Sequence, residues 1–317
     1  MYEYYIYLFG KFNVLNNKDQ HIPAFNKSNV QQLLSYLILN RSCQHTREAL
    51  AASFWPDVTP TQSKAYLRKA LWQLQCAFNN NHLSNQTNPI VVVENEWIYL
   101  NPTANIWLDV STLEHAFKKT EGISGEALSE KDLEIAKGGI LAYRGELLAG
   151  WAQEWCLQER ERLQQFHIIL LDKLVNNCLY NQRFELGLNY AIDILKQDPA
   201  RERTHRALMY LYYMAGDRTA ALRQYAICTN ILREELDVQP STRTQSLYEA
   251  LCADQAEKIW NGKTLSKPKI DTEPLLDTLL SLKRTQTDLY TVQNRIDREI
   301  ANLTDLIEKV NELSSIG

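Results

Sequence analysis

Thr61-Gln62-Ser63-Lys64-Ala65-Tyr66-Leu67-Arg68-Lys69-Ala70-Leu71-Trp72-Gln73-Leu74-Gln75-Cys76-Ala77-Phe78 is the stretch whose reading decides the N-terminal fold. Leu67, Ala70, Leu71, Leu74 and Phe78 recur at three- and four-residue spacing, which places them in one apolar stripe along a helix. The far face then carries Ala65, Arg68, Lys69, Trp72 and Gln73 and is open to a partner. Between Val58 and Val93 there is no Asp or Glu, and the charged residues are Lys64, Arg68 and Lys69. Cations without anions suit a phosphate backbone. The same side chains also describe the solvated face of an ordinary helix, so this stretch alone leaves both readings open.

Its neighbours supply a context. Tyr2–Val14 is rich in Tyr, Phe and Ile, and a polar turn over Asn16-Asn17-Lys18-Asp19 leads into Gln20–Phe25, which together predict a small N-terminal sheet. Val30–Leu39 has helical periodicity, and Thr46–Phe54 has a capping Thr before good helix formers, with Trp55 and Pro56 as its stop. After the 61–78 helix, Ile90–Val93 and Trp97–Leu100 flank Glu94-Asn95-Glu96 as a hairpin. Sheet, three helices and hairpin is the order of a winged helix-turn-helix, whose third helix enters the major groove while the hairpin reaches the neighbouring backbone.

The 317 residues suffice for two or three cores, and the net charge of −4 is unevenly placed: residues 1–103 hold 8 Lys/Arg against 6 Asp/Glu. Only the N-terminal part leans towards nucleic acid. The six cysteines are spread without a CxxC pair or a His at ligand spacing, so neither a metal site nor a disulfide framework is expected. With no segment of 18 consecutive apolar residues, no membrane span is expected, and the predicted location is the cytoplasm.

From Ile106 the pattern turns to amphipathic helices: one long helix over Trp155–Asn181, then Phe184–Asp198, Arg203–Ala215 and Thr219–Leu236. Gln182-Arg183-Phe184-Glu185-Leu186-Gly187-Leu188 aligns with Gly216-Asp217-Arg218-Thr219-Ala220-Ala221-Leu222 at the tetratricopeptide (TPR) spacing of 34 residues. Unrelated helical hairpins remain the alternative. Residues 261–274 read as a linker. Beyond them, Leu279, Gln286, Gln293, Ile300 and Ile307 at heptad position a alternate with Leu275, Leu282, Leu289, Ile296, Leu303 and Val310 at d, a coiled-coil helix over 275–314. Such a narrow stripe needs a partner helix, in a second copy, making the protein a homo-oligomer, in another coiled coil, or by folding back on the helical domain.

No phosphate loop, GxGxxG, HExxH or GxSxG occurs, and the six histidines are isolated; His167 reads as a core or surface residue. No catalytic residue, enzyme activity, cofactor or metal is therefore predicted.

Two sets of residues carry a resemblance. Gln31-Gln32-Leu33-Leu34, His45-Thr46-Arg47-Glu48-Ala49-Leu50, Phe54-Trp55-Pro56-Asp57 and Leu67-Arg68-Lys69-Ala70-Leu71 resemble the OmpR-type DNA-binding domain of the SARP class of bacterial transcriptional activators. Tyr143–Gly150, Glu154-Trp155, Glu159–Leu163, Asp198-Pro199 with Arg201-Glu202, and Gly216-Asp217-Arg218 through Gln224-Tyr225 are similar to the bacterial transcriptional activation domain that follows it in that class. The resemblance covers roughly residues 2–255. It implies a mainly α chain, with a winged-helix DNA-binding domain over 1–103 and a TPR-like activation domain over 106–260. The implied partners are double-stranded DNA and RNA polymerase or another transcription protein. Arg68 and Gln73 are then the candidates for base edges, and Lys64, Lys69 and Trp72 sit towards the backbone. Asn95 lies at the hairpin tip, and Lys27 and Arg47 near helix starts add phosphate contacts. The chain departs from the class at Trp72-Gln73-Leu74-Gln75, where several arginines are usual. That departure keeps open a second reading, an interaction scaffold with a winged helix that reads no DNA.

Overall fold

The computed structural model describes residues 2–79 and 89–256, and side chains within them except those of residues 24, 26 and 79. The predicted linker 261–274 and coiled-coil helix 275–314 lie outside the described residues. The described residues up to 254 pack as one compact unit, mainly helical with two small sheets.

The first sheet is built on β1 (Tyr4–Tyr7), whose Tyr4 and Ile6 are buried while Tyr5 and Tyr7 are half-buried, the alternation of a pleated strand. It pairs antiparallel with β2 (Asn13–Asn16), Tyr4 opposite Asn16 and Tyr7 opposite Asn13. Gln20–Phe25 forms less strand than its composition suggests, a single bridge from His21 to Leu15 followed by a 3-10 turn over Pro23–Asn26. Pro23 has no amide hydrogen to continue the ladder, so the pairing stops there.

α1 (Ser28–Leu39) buries Val30, Leu33, Leu34, Leu37 and Ile38. A two-residue strand, β3 (His45–Thr46), leads into α2 (Arg47–Phe54), where the Thr46 side chain accepts from the Ala49 amide as an N-cap. α3 (Pro60–Asn79) follows, then β4 (Val91–Glu94) and β5 (Trp97–Leu100). These strands join around Asn95, whose φ of +48° closes the hairpin, and β3 pairs with the outer side of β5 to give the order β3-β5-β4.

The sequence pattern starts the helical region at 106, but Ile106–Leu108 is a strand, β6, pairing parallel with β1. α4 (Asp109–Thr120) begins directly after it. The buried Asp109 carboxylate accepts hydrogen bonds from the amides of Leu8 and Phe9 (both 2.8 Å) and of Val110 (2.7 Å). Burial nevertheless pushes its pKa up to about 6 against those hydrogen bonds and the Arg144 charge. A second return of the chain locks the same edge: Gly10 donates to Glu146 O, Leu148 to Leu8 O and Ala149 to Gly10 O, each at 2.8 Å. The Arg160 guanidinium then holds that return through the carbonyls of Leu147, Leu148 and Trp151.

α5 (Glu130–Ala142) starts with a capping box between Ser129 and Asp132 and packs on α4. α6 (Glu154–Tyr180) is the long predicted helix. Leu163, Leu170 and Leu174 join an apolar core continuous with β1, α1 and α3, and Ile168, Leu171 and Val175 anchor a second core. That second core is shared with α7 (Phe184–Leu195) and α8 (Glu202–Met214). α9 (Arg218–Leu236) and α10 (Thr242–Cys252) continue the series, each packed on its predecessor.

The 34-residue repeat is visible in the backbone. α6 and α8 both end in a left-handed residue, Gln182 (φ +57°) and Gly216 (φ +85°). In each case the next amide reaches back five residues, Arg183 to Cys178 O at 2.8 Å and Asp217 to Tyr212 O at 2.9 Å, the closure of a Schellman motif. Gly187 and Ala221, 34 apart, are both buried. His167 is a core residue, stacked on Tyr143 at 4.0 Å and hydrogen-bonded to Gln197, with its pKa lowered by burial.

α1 and the helices after β6 are tied together. Tyr36 meets Trp155 edge-on at 5.5 Å, and Arg41 pairs with Glu114, which also accepts Arg162 at 2.7 Å. Arg162 in turn holds Glu159 at 2.6 Å, so the adjacent Glu and Arg charges of α6 serve a salt-bridge network.

Candidate nucleic-acid interface

α3 is started by a capping box one residue upstream of the predicted stretch. Gln62 donates its amide hydrogen to the Thr59 hydroxyl and accepts from the Thr59 amide and hydroxyl, while Pro60 occupies the first helical position. Ser63, Leu67, Ala70, Leu71, Leu74, Ala77 and Phe78 are buried against the core. Phe78 meets Phe25 edge-on at 4.9 Å and Tyr4 edge-on at 5.0 Å, and the Tyr4 hydroxyl donates to Phe78 O. The helix is thus fixed from both ends.

Its outer face carries Lys64, Ala65, Arg68, Lys69 and Trp72, all exposed, with Gln73 half-buried at the margin. Trp72 is 63% exposed, the most open aromatic side chain of the helix. Among the described residues, neither Arg68 nor Lys69 has an ion-pair or hydrogen-bond partner within the protein. Lys64 differs. Its Nζ sits 2.5 Å from Glu48 Oε1 on α2, and Glu96 of the hairpin adds to the field that raises its pKa. The acid-free sequence from 58 to 93 therefore acquires a carboxylate when α2 folds against α3, and no local spacing signals that pairing.

Arg47 and Asn95, predicted separately, are brought together. The Arg47 amide donates to Glu96 O at 2.9 Å and its guanidinium Nε donates to Asn95 O at 2.7 Å, so Arg47 clamps the hairpin turn onto the start of α2. Asn95 is exposed at that turn, between exposed Glu94 and Glu96. Lys27 is exposed at the N-cap of α1. Because the preceding turn packs Phe25 on Phe78, Lys27 lies towards the C-terminal end of α3, away from Lys64. The sequence reading did not single out Tyr66, which is 44% exposed beside Trp55. The predicted oligomerisation residues Leu279 to Val310 lie outside the described residues. Among the described residues, no group of three or more His, Cys, Asp and Glu is placed to hold a metal ion, and no helix is long and apolar enough to cross a membrane.

Comparison with known proteins gives the wider setting. Residues 108–252 match the model of the bacterial transcriptional activator domain. The regulatory protein AfsR of Streptomyces coelicolor is 22% identical over 236 residues, which is 74% of this chain and 23% of that protein. AfsR of Streptomyces griseus is 23% identical over 221 residues, 69% of this chain and 22% of that protein, so the chain spans under a quarter of the curated relatives it matches. Among solved structures, Mycobacterium tuberculosis EmbR in complex with a low affinity phosphopeptide superposes with a TM-score of 0.66 at 14% identity, over 80% of this chain and 66% of that one. That likeness is one of fold. The match to the bacterial transcriptional activator domain, together with the two AfsR relatives, supports a SARP-type bacterial transcriptional activator.

Proposed function

We propose that the chain binds specific sites on double-stranded DNA in the cytoplasm and activates transcription from them. Residues 1–103 act as a winged helix-turn-helix, with α3 in the major groove and the β4–β5 hairpin as the wing. Arg68 reaches base edges with Gln73 beside it, Lys64 and Lys69 lie towards the backbone, and Asn95, Arg47 and Lys27 add contacts at the wing and helix starts. Residues 106–260 present TPR-like helices to RNA polymerase or another transcription protein. The 275–314 helix joins a second copy through Leu279, Leu282, Gln286, Leu289, Gln293, Ile296, Ile300, Leu303, Ile307 and Val310, and raises the effective concentration of the second DNA-binding half.

The observation that carries this reading is the outer face of α3, where Arg68, Lys69 and Trp72 stand exposed on a helix whose opposite side is buried throughout. One observation favours the scaffold alternative: Lys64 is paired with Glu48, and Glu94 and Glu96 flank the wing tip, so positive charge on this face is sparse. Footprinting and salt titration of the full chain on the DNA upstream of its own gene, and on a randomised pool, separate the two. Site-specific protection lost in the Arg68→Ala, Lys69→Ala double variant supports the DNA reader. Absence of any enriched site refutes it and leaves the scaffold.

A further inference from the structure

Successive residues of an α-helix step round its axis by about 100°. On α3 the buried residues from Ser63 to Phe78 fill one arc, and the direction opposite its midpoint is occupied by Ala65 and, within about 20° on either side, by Trp72 and the half-buried Cys76. Arg68 and Lys69 stand on either side of Trp72 at about 40° and 60°. Gln73 is turned about 100° from Trp72, to the half-buried margin of the helix. The side chains pointing farthest from the core are thus apolar, and the cations flank them.

We infer that Ala65 and Trp72 form an apolar reading edge that selects sites carrying thymine 5-methyl groups on the major-groove floor. This rests on the proposed placement of α3 in the major groove. A helix entering a groove brings the residues opposite its buried stripe nearest the bases, while long side chains to either side reach base edges or the phosphate walls. The small Ala65 lets the helix approach closely, and Trp72 one face further along meets what lies beneath. An indole has one donor, Nε1–H, and no acceptor, so it has nothing to offer the amino groups of cytosine or adenine. Thymine presents O4, an acceptor, beside a methyl group, matching both the donor and the apolar body of the indole. Guanine presents acceptors without the methyl. Contact with a methyl also removes apolar indole surface, 63% exposed in the free protein, from water.

The test starts with selection from randomised DNA by the full chain. The strongest site is then remade with deoxyuridine replacing thymine at single positions, which deletes the 5-methyl group and leaves O4. Wild-type protein loses about fourfold in affinity for each methyl it touches, the ratio corresponding to about 0.8 kcal/mol. Trp72→Ala, at an exposed position, keeps the helical circular dichroism of the parent and binds the thymine and deoxyuridine sites equally. Methyl-indifferent binding by the wild type overturns the inference, as does a Trp72→Ala variant that still discriminates. If the full chain enriches no sequence, the DNA-reading proposal itself falls and this inference with it.

Discussion

Replacing Asp109 with Asn removes a charge that the fold both uses and resists. The carboxylate accepts three backbone hydrogen bonds in a site closed to solvent, yet burial still raises its pKa from 3.8 to about 6. The folded chain therefore holds this proton more tightly than the unfolded chain. The stability contributed by this group is fully present below about pH 3.8 and is lost as pH rises through about 6. At about 1.4 kcal/mol per pH unit, that interval amounts to roughly 3 kcal/mol, a large part of the ~5–15 kcal/mol that separates folded from unfolded domains. The Asn variant has no such titration. Its side-chain carbonyl can still accept from Leu8 and Phe9, while its amide group opposes the Val110 N–H, a pH-independent cost of about 1–3 kcal/mol. Urea denaturation of both proteins between pH 4 and pH 7.5 reads the difference, in which the other carboxylates cancel. The wild-type advantage is expected to shrink by about 2.4 kcal/mol across that range, since the unfolded chain is already partly ionised at pH 4. Parallel pH profiles would refute the argument, because they would mean that Asp109 pays no burial penalty in the folded chain.

Four further outcomes are expected. Glu48→Gln frees Lys64 and steepens the dependence of log affinity on log salt for DNA by about 0.9, one additional phosphate; an unchanged slope in filter binding places Lys64 away from the DNA. Gly187→Ala puts a methyl 2.9 Å from Leu211 Cδ2 and 3.1 Å from Cys178 Cβ, and should cost about 1–3 kcal/mol in urea denaturation. Gly138→Ala in α5, with nothing within 4 Å, should stabilise by about 0.5–1 kcal/mol; equal effects at the two sites would contradict the packing described. Deleting residues 271–317 should lower DNA affinity and give a monomer in sedimentation, and an unaltered affinity would remove the proposed role of the second copy.

The helices were legible because each buries one face, and that writes a period of 3–4 into the sequence; α3, α6 and α8 have the predicted extent to within a residue or two. The 34-residue repeat was legible for a different reason: paired helices approach closely at small residues, and Gly187 and Ala221 recur at the tetratricopeptide spacing. What escaped the sequence is pairing at long range. β6 has three residues, too few for a period, and becomes a strand because β1, about a hundred residues earlier, offers it an open edge. Glu48 neutralises Lys64 from 16 residues away, through the packing of α2 on α3. Gln73 reads as outward in the sequence, but at about 100° per residue it stands next to the buried arc and is half-buried.

The parallel pairing of β1 with β6, and the lacing of Gly10 to residues 146–149, also set an order of events during synthesis. Tyr4–Tyr7 leaves the ribosome long before either of its later partners exists. At about 5–20 residues per second, the wait for residue 149 is roughly 7–30 s. Until residues 106–108 emerge, the open edge of β1 has only β2 beside it, and Leu8 and Gly10 wait longer for residues 146–149. Nascent chains halted before residue 106 should therefore be protease-sensitive at their N-terminus and attract chaperones, and those halted well past residue 150 should not. The same timing makes the two halves poor candidates for exchange between relatives, since a fusion made near residue 103 would deprive the first strand of the neighbour it has been waiting for.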